Sequence, residues 1–395
     1  MKILIADKLS PKPIAALDKI GADITSNPDL KAEELSEAIG NANVLIVRST
    51  KVYAETIEAG KSLELIIRAG AGVNNIDLEK ASSSGVYVAN CPGKNSDAVA
   101  ELALGHIIAC DRRIVDASLN LRNGYWKKKA YQKAAGLKRR TLGIIGLGSI
   151  GCALVKLAKG LDMNVIAWSR SLTPDKADEL DLVYCDSIGE VAANADVVSV
   201  HLAVTPDTKQ LLNNDFFNKM KDGAIFVNTS RGEIVDTAAL RKAIDEKALR
   251  VGLDVFENEP GSGLADFDQT DLAGLITCTP HIGASTNQAS EAIAEEVVRI
   301  VDSLIKTGKP INAVNSREKT EDGTILMVRH YNRVGVLASV LDALREAGIN
   351  VEDMENNIFN GSAAAIASLK LDKAPSADVI SEISSNESII QVSIK

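Results

Sequence analysis

The chain of 395 residues has no surplus of positive charge: 44 Lys and Arg stand against 53 Asp and Glu, a net charge of −9. Without a general basic surface, nucleic acid is not the expected partner. Aromatic residues make up 4% of the chain, with two Trp, so no stacking platform for single strands is expected either. Cysteine is sparse. Cys91, Cys110, Cys152, Cys185 and Cys278 lie far apart, with no CxxC and an odd total, as free thiols in a reducing compartment do. No apolar run is long enough to span a membrane, and MKILIADKLSPKP has an apolar run of four residues before Asp7, too short for a signal peptide. The expectation is a cytoplasmic protein with no membrane, nucleic-acid or metal partner.

What the chain has in quantity is short apolar segments separated by helical patterns. KILIA (2–6), VLIVRS (44–49), LELIIRA (63–69) and VYVAN (86–90) read as buried strands. A second series follows: TLGIIG (141–146), NVIAW (164–168), VVSVHL (197–202), AIFVNTS (224–230), VGLDV (251–255) and LITCTP (275–280). Continuous apolar strands alternating with helices predict parallel sheets covered on both faces. Amphipathic helices from about Ser96 to Leu121 and from near Ser285 bracket the second series, the latter ending at Gly308 with Pro310 beyond. INAVN (311–315) then reads as a strand rejoining the first sheet. These spans predict an α/β protein with two Rossmann-like domains. Residues 1–98 and 285–316 form one that is discontinuous, and 99–284 form a dinucleotide domain inserted into it, with a cleft between. SREKTEDG (316–323) reads as a linker, and 324–395 as a separate ferredoxin-like α+β domain of strand, helix, two strands, helix, strand.

Gly146-Leu147-Gly148-Ser149-Ile150-Gly151 follows a strand and opens a helix. Glycines so spaced allow a tight turn, approach of a pyrophosphate to backbone, and close helix packing, while the helix N-terminus offers N–H groups and a positive dipole end. The next strand ends on Ser169 and Arg170, 18 residues past Gly151, where an NAD site has a carboxylate for the ribose. Two readings stand side by side. Ser169 and Arg170 admit the 2′-phosphate of NADP, or Arg170 points to solvent and Ser169 bonds the ribose of NAD.

Four histidines limit the search for a proton carrier. His106 lies in the apolar helix ELALGHIIAC and reads as core; His201 ends a strand facing the cofactor cleft; His330 belongs to the C-terminal domain. His281 follows a strand at the carboxyl edge, where open α/β sheets bind ligands, and is the acid–base candidate. Asp254, Glu257 and Glu259 end the preceding strand as candidate partners, and Arg231 ends the one before, suited to a substrate carboxylate. Arg48, Ser49 and Lys51 end one strand of the first domain, and Arg68 ends another before a glycine loop containing Ala71 and Gly72. Two arginines beyond Arg231 suit a phosphorylated substrate; the alternative pairs them with acids such as Asp77.

RAGAGVNNID (68–77), LGIIGLGSIG (142–151), VNTSRGEIVD (227–236), DVFENEP (254–260) and TPHIGAST (279–286) together resemble the D-isomer-specific 2-hydroxyacid dehydrogenases, along nearly all of residues 1–315. The resemblance implies that Arg231 orients the substrate, His281 exchanges its hydroxyl proton, Glu259 supports His281, and hydride passes between C2 and the nicotinamide. It implies contacts to NAD or NADP from Ala71, Gly146, Gly148, Ser149, Ile150, Gly151, Ser169, Arg170, His201, Thr229, Ser230, Arg231, Asp254, His281 and Gly283. It implies substrate contacts from Arg48, Ser49, Arg68, Ala71 and Gly72. Ser169 departs from the family's Asp, and Ala203 from the proline of its H-x-P turn. Within the family the chain is most similar to the branch oxidising 3-phosphoglycerate; the rivals are an NADP-dependent hydroxypyruvate or glyoxylate reductase and a dinucleotide-sensing corepressor. Residues 324–395 resemble the ACT domain, a small-molecule regulatory module. That resemblance implies L-serine as effector, held by His330, Asn332 and, across a paired domain, Asn350, in a homodimer or homotetramer.

Overall fold

The computed structural model describes residues 1–9, 11–260, 265–317 and 323–395. The chain divides into two compact units, Met1–Ser316 and Arg317–Lys395. Most of the expected linker, 318–322, lies outside the described residues.

The first unit holds two parallel sheets. β1 (Lys2–Ile5), β2 (Asp23–Ser26), β3 (Val44–Val47), β4 (Leu65–Arg68) and β5 (Tyr87–Asn90) run in the order β2-β1-β3-β4-β5. Ile3, Ile5, Val44, Ile46, Leu65 and Ile67 face one layer, and Leu4, Leu45, Val47, Ile66 and Val88 the other. Being covered on both sides is why these strands are unbroken runs of Ile, Leu and Val. Each fully buried side chain contributes about 2 kcal/mol. The helix Asn287–Thr307 returns nearly two hundred residues later to lay Ile293, Val297, Ile300, Val301 and Leu304 on the first face. Thr286 caps it, accepting from the Ala289 N–H at 3.1 Å.

The predicted strand INAVN does not form. Only Ala313 bridges Ala89, because Asn312 is left-handed at φ 59° and breaks the extended run. Backbone and side chain share the joining: the Val314 N–H donates to the Val88 carbonyl at 2.8 Å, while Asn315 Oδ1 accepts from the Val88 N–H at 2.8 Å and its Nδ2 donates to the Val86 carbonyl at 2.9 Å.

The second sheet comprises β6 (Thr141–Ile145), β7 (Asn164–Trp168), β8 (Val183–Tyr184), β9 (Val197–Val200), β10 (Ile225–Asn228), β11 (Arg250–Leu253) and β12 (Thr277–Cys278), ordered β12-β11-β10-β9-β6-β7-β8. The strand order reverses between β6 and β9, which opens a crevice at the carboxyl edge. The helix expected over 96–121 is two helices, Ser96–Arg112 and Ile114–Arg122, broken where Arg113 turns left-handed at φ 50°. The second of the two has no buried residue.

The second unit is a four-stranded antiparallel sheet, β13 (Thr324–Tyr331), β14 (Val351–Ile358), β15 (Ala364–Leu371) and β16 (Ile389–Ile394), ordered β14-β15-β13-β16. Two helices pack Val340, Leu344 and Ile383 against Leu326, Val328, Leu369 and Leu371. The α/β class and the ferredoxin-like order are as the strand pattern predicts. β2 and β8 carried too little apolar signal to be anticipated. Among the described residues no helix is long and apolar enough to cross a membrane, and no cluster of ligating side chains is placed to hold a metal.

Candidate active site

The glycine turn is built for backbone contact. Gly146 has φ +98°, and a Cβ there would lie 2.4 Å from the His201 carbonyl oxygen. A Cβ on Gly151 would lie 2.4 Å from the Gly146 carbonyl oxygen, so the helix Ser149–Gly160 can start this close to β6 only without one. Gly148 caps that helix in an extended conformation, and the N–H groups of Ser149 and Ile150 have no acceptor within the helix. The Gly146 N–H donates to the Trp168 carbonyl at 2.9 Å, which brings Ser169, half-buried, and Arg170, exposed, beside the turn. Arg170 makes no ion pair among the described residues.

Among the described residues, buried polar atoms without partners include His201 Nδ1 and Thr229 Oγ1, which directly follow β9 and β10 at this carboxyl edge, and Ser96 Oγ, at the start of the helix Ser96–Arg112. Leaving such atoms unpaired costs about 1–3 kcal/mol each, so the pair on adjacent strand ends marks a candidate ligand site. His201 Nε2 lies 2.9 Å from Ser199 Oγ, and burial pushes the imidazole down to about 4. Ser230 is differently engaged, donating from N–H and Oγ to Asn228 Oδ1 at 2.9 and 2.7 Å. Glycine cradle, helix N-terminus and unpaired atoms fit a dinucleotide. Ser96 and Asn228 were not anticipated, since a lone Ser opening an apolar helix and a strand-end Asn carry no distinctive spacing.

Three strand ends converge on the acid–base group. Glu259 Oε1 accepts from the Phe256 N–H at 2.9 Å, and Oε2 lies 2.6 Å from His281 Nδ1. Burial pushes the Glu259 carboxyl up, but hydrogen bonds from His281 and the Phe256 amide, with the nearby charges of His281 and Arg231, hold it below the usual range. Asp254, 1% exposed, turns its carboxylate to the loop instead: it accepts from Thr279 Oγ1 at 2.5 Å, Ile282 N–H at 2.9 Å and Gly283 N–H at 2.8 Å. Glu257 bonds Thr237 and Gln210. Of the three candidate acids, Glu259 reaches His281.

The opposite wall is cationic. A cleft of about 1030 Å³ is lined by Arg48, Ser49, Arg68, Gly72, Arg231, Glu259 and His281 among others. A Cβ on Gly72 would lie 2.4 Å from Arg231 Nη2, so the glycine loop rests against that guanidinium. The Ala71 carbonyl accepts from Asn90 Nδ2 at 2.5 Å, which pins the loop to β5. Arg48, Arg68 and Arg231 form no ion pair among the described residues, and Arg68 Nε is buried without a partner. Burial, then the charges of Arg231 and Arg48, lower the Arg68 guanidinium to about 10. Asp77 does not pair with either arginine; it caps the helix Leu78–Ser83. Asp7 accepts from the N–H groups of Arg48, Ser49 and Thr50 and so fixes that turn.

In the second unit, His330 is 2% exposed, with Nδ1 2.9 Å from the Tyr331 carbonyl and Nε2 3.2 Å from Asn356 Oδ1. Asn332 Nδ2 donates to the Ser362 carbonyl at 3.1 Å. Asn350 precedes Val351, which pairs with Leu371 and hence lies level with Thr324. It therefore stands at the opposite end of β13 from His330, roughly 20 Å away at 3.3 Å per residue. One copy cannot bring the three together.

Residues 104–283 match the model of the D-isomer specific 2-hydroxyacid dehydrogenase, NAD binding domain. The chain is 38% identical over 80% of its length to D-3-phosphoglycerate dehydrogenase of Methanocaldococcus jannaschii, of whose length it spans 59%. It is 41% identical over 71% of its length to hydroxypyruvate reductase of Thermotoga maritima, covering 90% of that protein. In structure it resembles NAD+-bound 3-phosphoglycerate dehydrogenase of Entamoeba histolytica, with a TM-score of 0.67 and 27% identity over 80% of this chain and 99% of that one. The chain belongs to the D-isomer specific 2-hydroxyacid dehydrogenase family.

Proposed function

We propose that the protein oxidises 3-phospho-D-glycerate to 3-phosphooxypyruvate with NAD or NADP, the entry to L-serine synthesis. The observation that carries this reading is the trio Arg48, Arg68 and Arg231, without an ion-paired carboxylate among the described residues, lining one cleft with the His281–Glu259 pair. One carboxylate needs a single guanidinium; a phosphate on the same small molecule uses the other two. Arg231 holds the carboxylate and polarises the neighbouring carbon–oxygen bond. His281 takes the hydroxyl proton at Nε2, while Glu259 holds Nδ1 and balances the imidazolium. When bound, a nicotinamide dinucleotide supplies the hydride acceptor. Gly146, Gly148, Ser149, Ile150 and Gly151 would hold its pyrophosphate, Ser169 and Arg170 its adenosine ribose, and His201, Thr229, Ser230, Asp254, Gly283 and Ser96 the rest of its length.

In this reading residues 1–98 with 285–316 bind substrate, 99–284 bind dinucleotide, and 324–395 form an ACT domain that takes L-serine. The separation of Asn350 from His330 and Asn332 supports a paired arrangement, as does the exposed apolar helix Ile114–Arg122, with Ile114, Val115, Leu119 and Leu121 each about half exposed. A homodimer or homotetramer is part of this reading. The alternative, an NADP-dependent hydroxypyruvate or glyoxylate reductase, is favoured by Ser169 and by Arg170, which makes no ion pair among the described residues. Steady-state kinetics of wild type and Arg48→Ala decide between them. The variant should raise KM for phosphoglycerate by about 30-fold or more and change KM for hydroxypyruvate by less than about threefold. Equal effects on both substrates would remove the phosphate-binding role.

A further inference from the structure

His106 lies 3% exposed in the Ser96–Arg112 helix, where the apolar setting suggests mere core filling. Its Nε2 is 3.1 Å from Thr279 Oγ1, and that hydroxyl is 2.5 Å from Asp254 Oδ1. A hydroxyl has one proton to give, and a carboxylate can only accept. The Thr279 proton is therefore committed to Asp254, so the Thr279 oxygen accepts from His106, whose Nε2 carries the proton. Every donor in this chain of imidazole, hydroxyl and carboxylate has one direction. Asp254 spends its remaining acceptor capacity on the N–H groups of Ile282 and Gly283, the two residues after His281, and its carbonyl accepts the His281 N–H at 2.8 Å.

The loop so held is strained. His281 sits at φ +52°, a left-handed conformation that costs a non-glycine residue about 1–2 kcal/mol and persists only where neighbours over-determine it. Two glycines let the helix come close enough to help. A Cβ on Gly252 would lie 2.8 Å from His106 Cβ, and one on Gly283 would lie 3.0 Å from Asp254 Oδ2 and 3.4 Å from Val99, on the same helix.

We propose that His106 is a positioning residue for the acid–base group: through Thr279 and Asp254 it holds the 279–283 loop in the conformation that sets His281 against Glu259. The proposal rests on the reading of His281 as proton carrier. Burial also disfavours the charged imidazole, despite the pull of Asp254, which suits a neutral single donor at Nε2.

The test uses the full chain with His106→Gln, which returns an amide donor near the Nε2 position, His106→Leu, which fills space without one, and Thr279→Val, which cuts the link at constant shape. His106→Leu and Thr279→Val should each lower kcat about tenfold with KM values within about threefold, since small misplacements of a reacting group cost that much. Amide hydrogen exchange across 279–286 should quicken in both. His106→Gln should restore most of the turnover and the slow exchange, and the double variant should be no worse than the worse single one. Equal impairment by Leu and Gln, or Leu and Val variants with wild-type turnover and exchange, would overturn the proposal. If His106→Leu does not fold, unchanged exchange in Thr279→Val overturns it alone. His281→Ala serves as control: near-normal turnover there defeats the proton-carrier reading, while the exchange data still decide the tether.

Discussion

Replacing Glu259 by Gln tests the acid–base pair most directly, because it keeps shape and removes one charge. The Glu259 carboxylate holds two donors, the Phe256 N–H on Oε1 and His281 on Oε2, whereas Gln has a single oxygen. If that oxygen stays with Phe256, the amide N–H₂ faces His281 Nδ1 and forces the proton onto Nε2, the nitrogen that must accept from substrate. If it stays with His281, the N–H₂ meets the Phe256 N–H, donor to donor. Either way the imidazolium loses its counter-charge. The side chains are 47% exposed for His281 and 30% for Glu259, so the effective dielectric lies between interior and water. At a charge separation near 4 Å the interaction is then roughly 1–4 kcal/mol. At 1.36 kcal/mol per factor of ten, that is roughly 5- to 1,000-fold in rate. We expect kcat to fall by about 100-fold in both reaction directions, with the dinucleotide dissociation constant changed by less than about threefold. Paired steady-state and fluorescence-binding measurements would show this. A variant within about threefold of wild-type kcat would refute the role of Glu259 and, with it, the pairing as the catalytic centre.

Ser169→Asp should swing the KM ratio toward NAD by at least about tenfold, by adding a ribose acceptor and repelling a 2′-phosphate; a wild type that already ignores NADP would deny Arg170 a phosphate role. L-serine should inhibit turnover, and Asn332→Ala should relieve inhibition while leaving uninhibited kcat unchanged; calorimetry showing no binding at millimolar serine would end the effector assignment. Folding stability should depend on His201. Its folded-state value is about 4 against 6.5 when free, so only the unfolded chain takes up the proton as pH falls from 6.5 to 4. Stability is thus fully present above 6.5 and lost across that window, by up to about 3 kcal/mol. Urea midpoints of wild type and His201→Gln, compared at the two ends of the window, should differ in pH slope by that amount, and parallel slopes would show that His201 does not stay neutral.

Legibility in the sequence followed burial. Strands hidden on both faces, such as Val44–Val47 and Ile225–Asn228, announce themselves as unbroken apolar runs. The edge strands Asp23–Ser26 and Val183–Tyr184 have polar or short sequences because one side meets water. INAVN has strand-like composition, but backbone sign at Asn312 is invisible in composition. Strand-end residues Arg231, Glu259 and His281 were readable because position along a strand fixes which edge they reach. The division of labour among Asp254, Glu257 and Glu259 was not readable from spacing, since three acids within six positions differ only in where the turn aims them; the family resemblance alone singled out Glu259. His106 reads as core in the sequence because its partner Thr279 lies 173 positions away.

The late return of the helix Asn287–Thr307 to the first sheet has a consequence for how the protein is made. During synthesis the second sheet and its covering helices lie within one continuous stretch and can close as soon as that stretch has emerged. The first sheet cannot. Ile3, Ile5, Val44, Ile46 and Ile67 wait for Ile293, Val297 and Ile300, and Val88 waits for Asn315, 227 positions on. Contacts so distant in sequence are slow to form and leave apolar surface bare meanwhile. A ribosome-bound chain stalled before the helix emerges would therefore present a finished nucleotide module attached to a half-clad, aggregation-prone N-terminal sheet, and this is the interval in which chaperones would engage it.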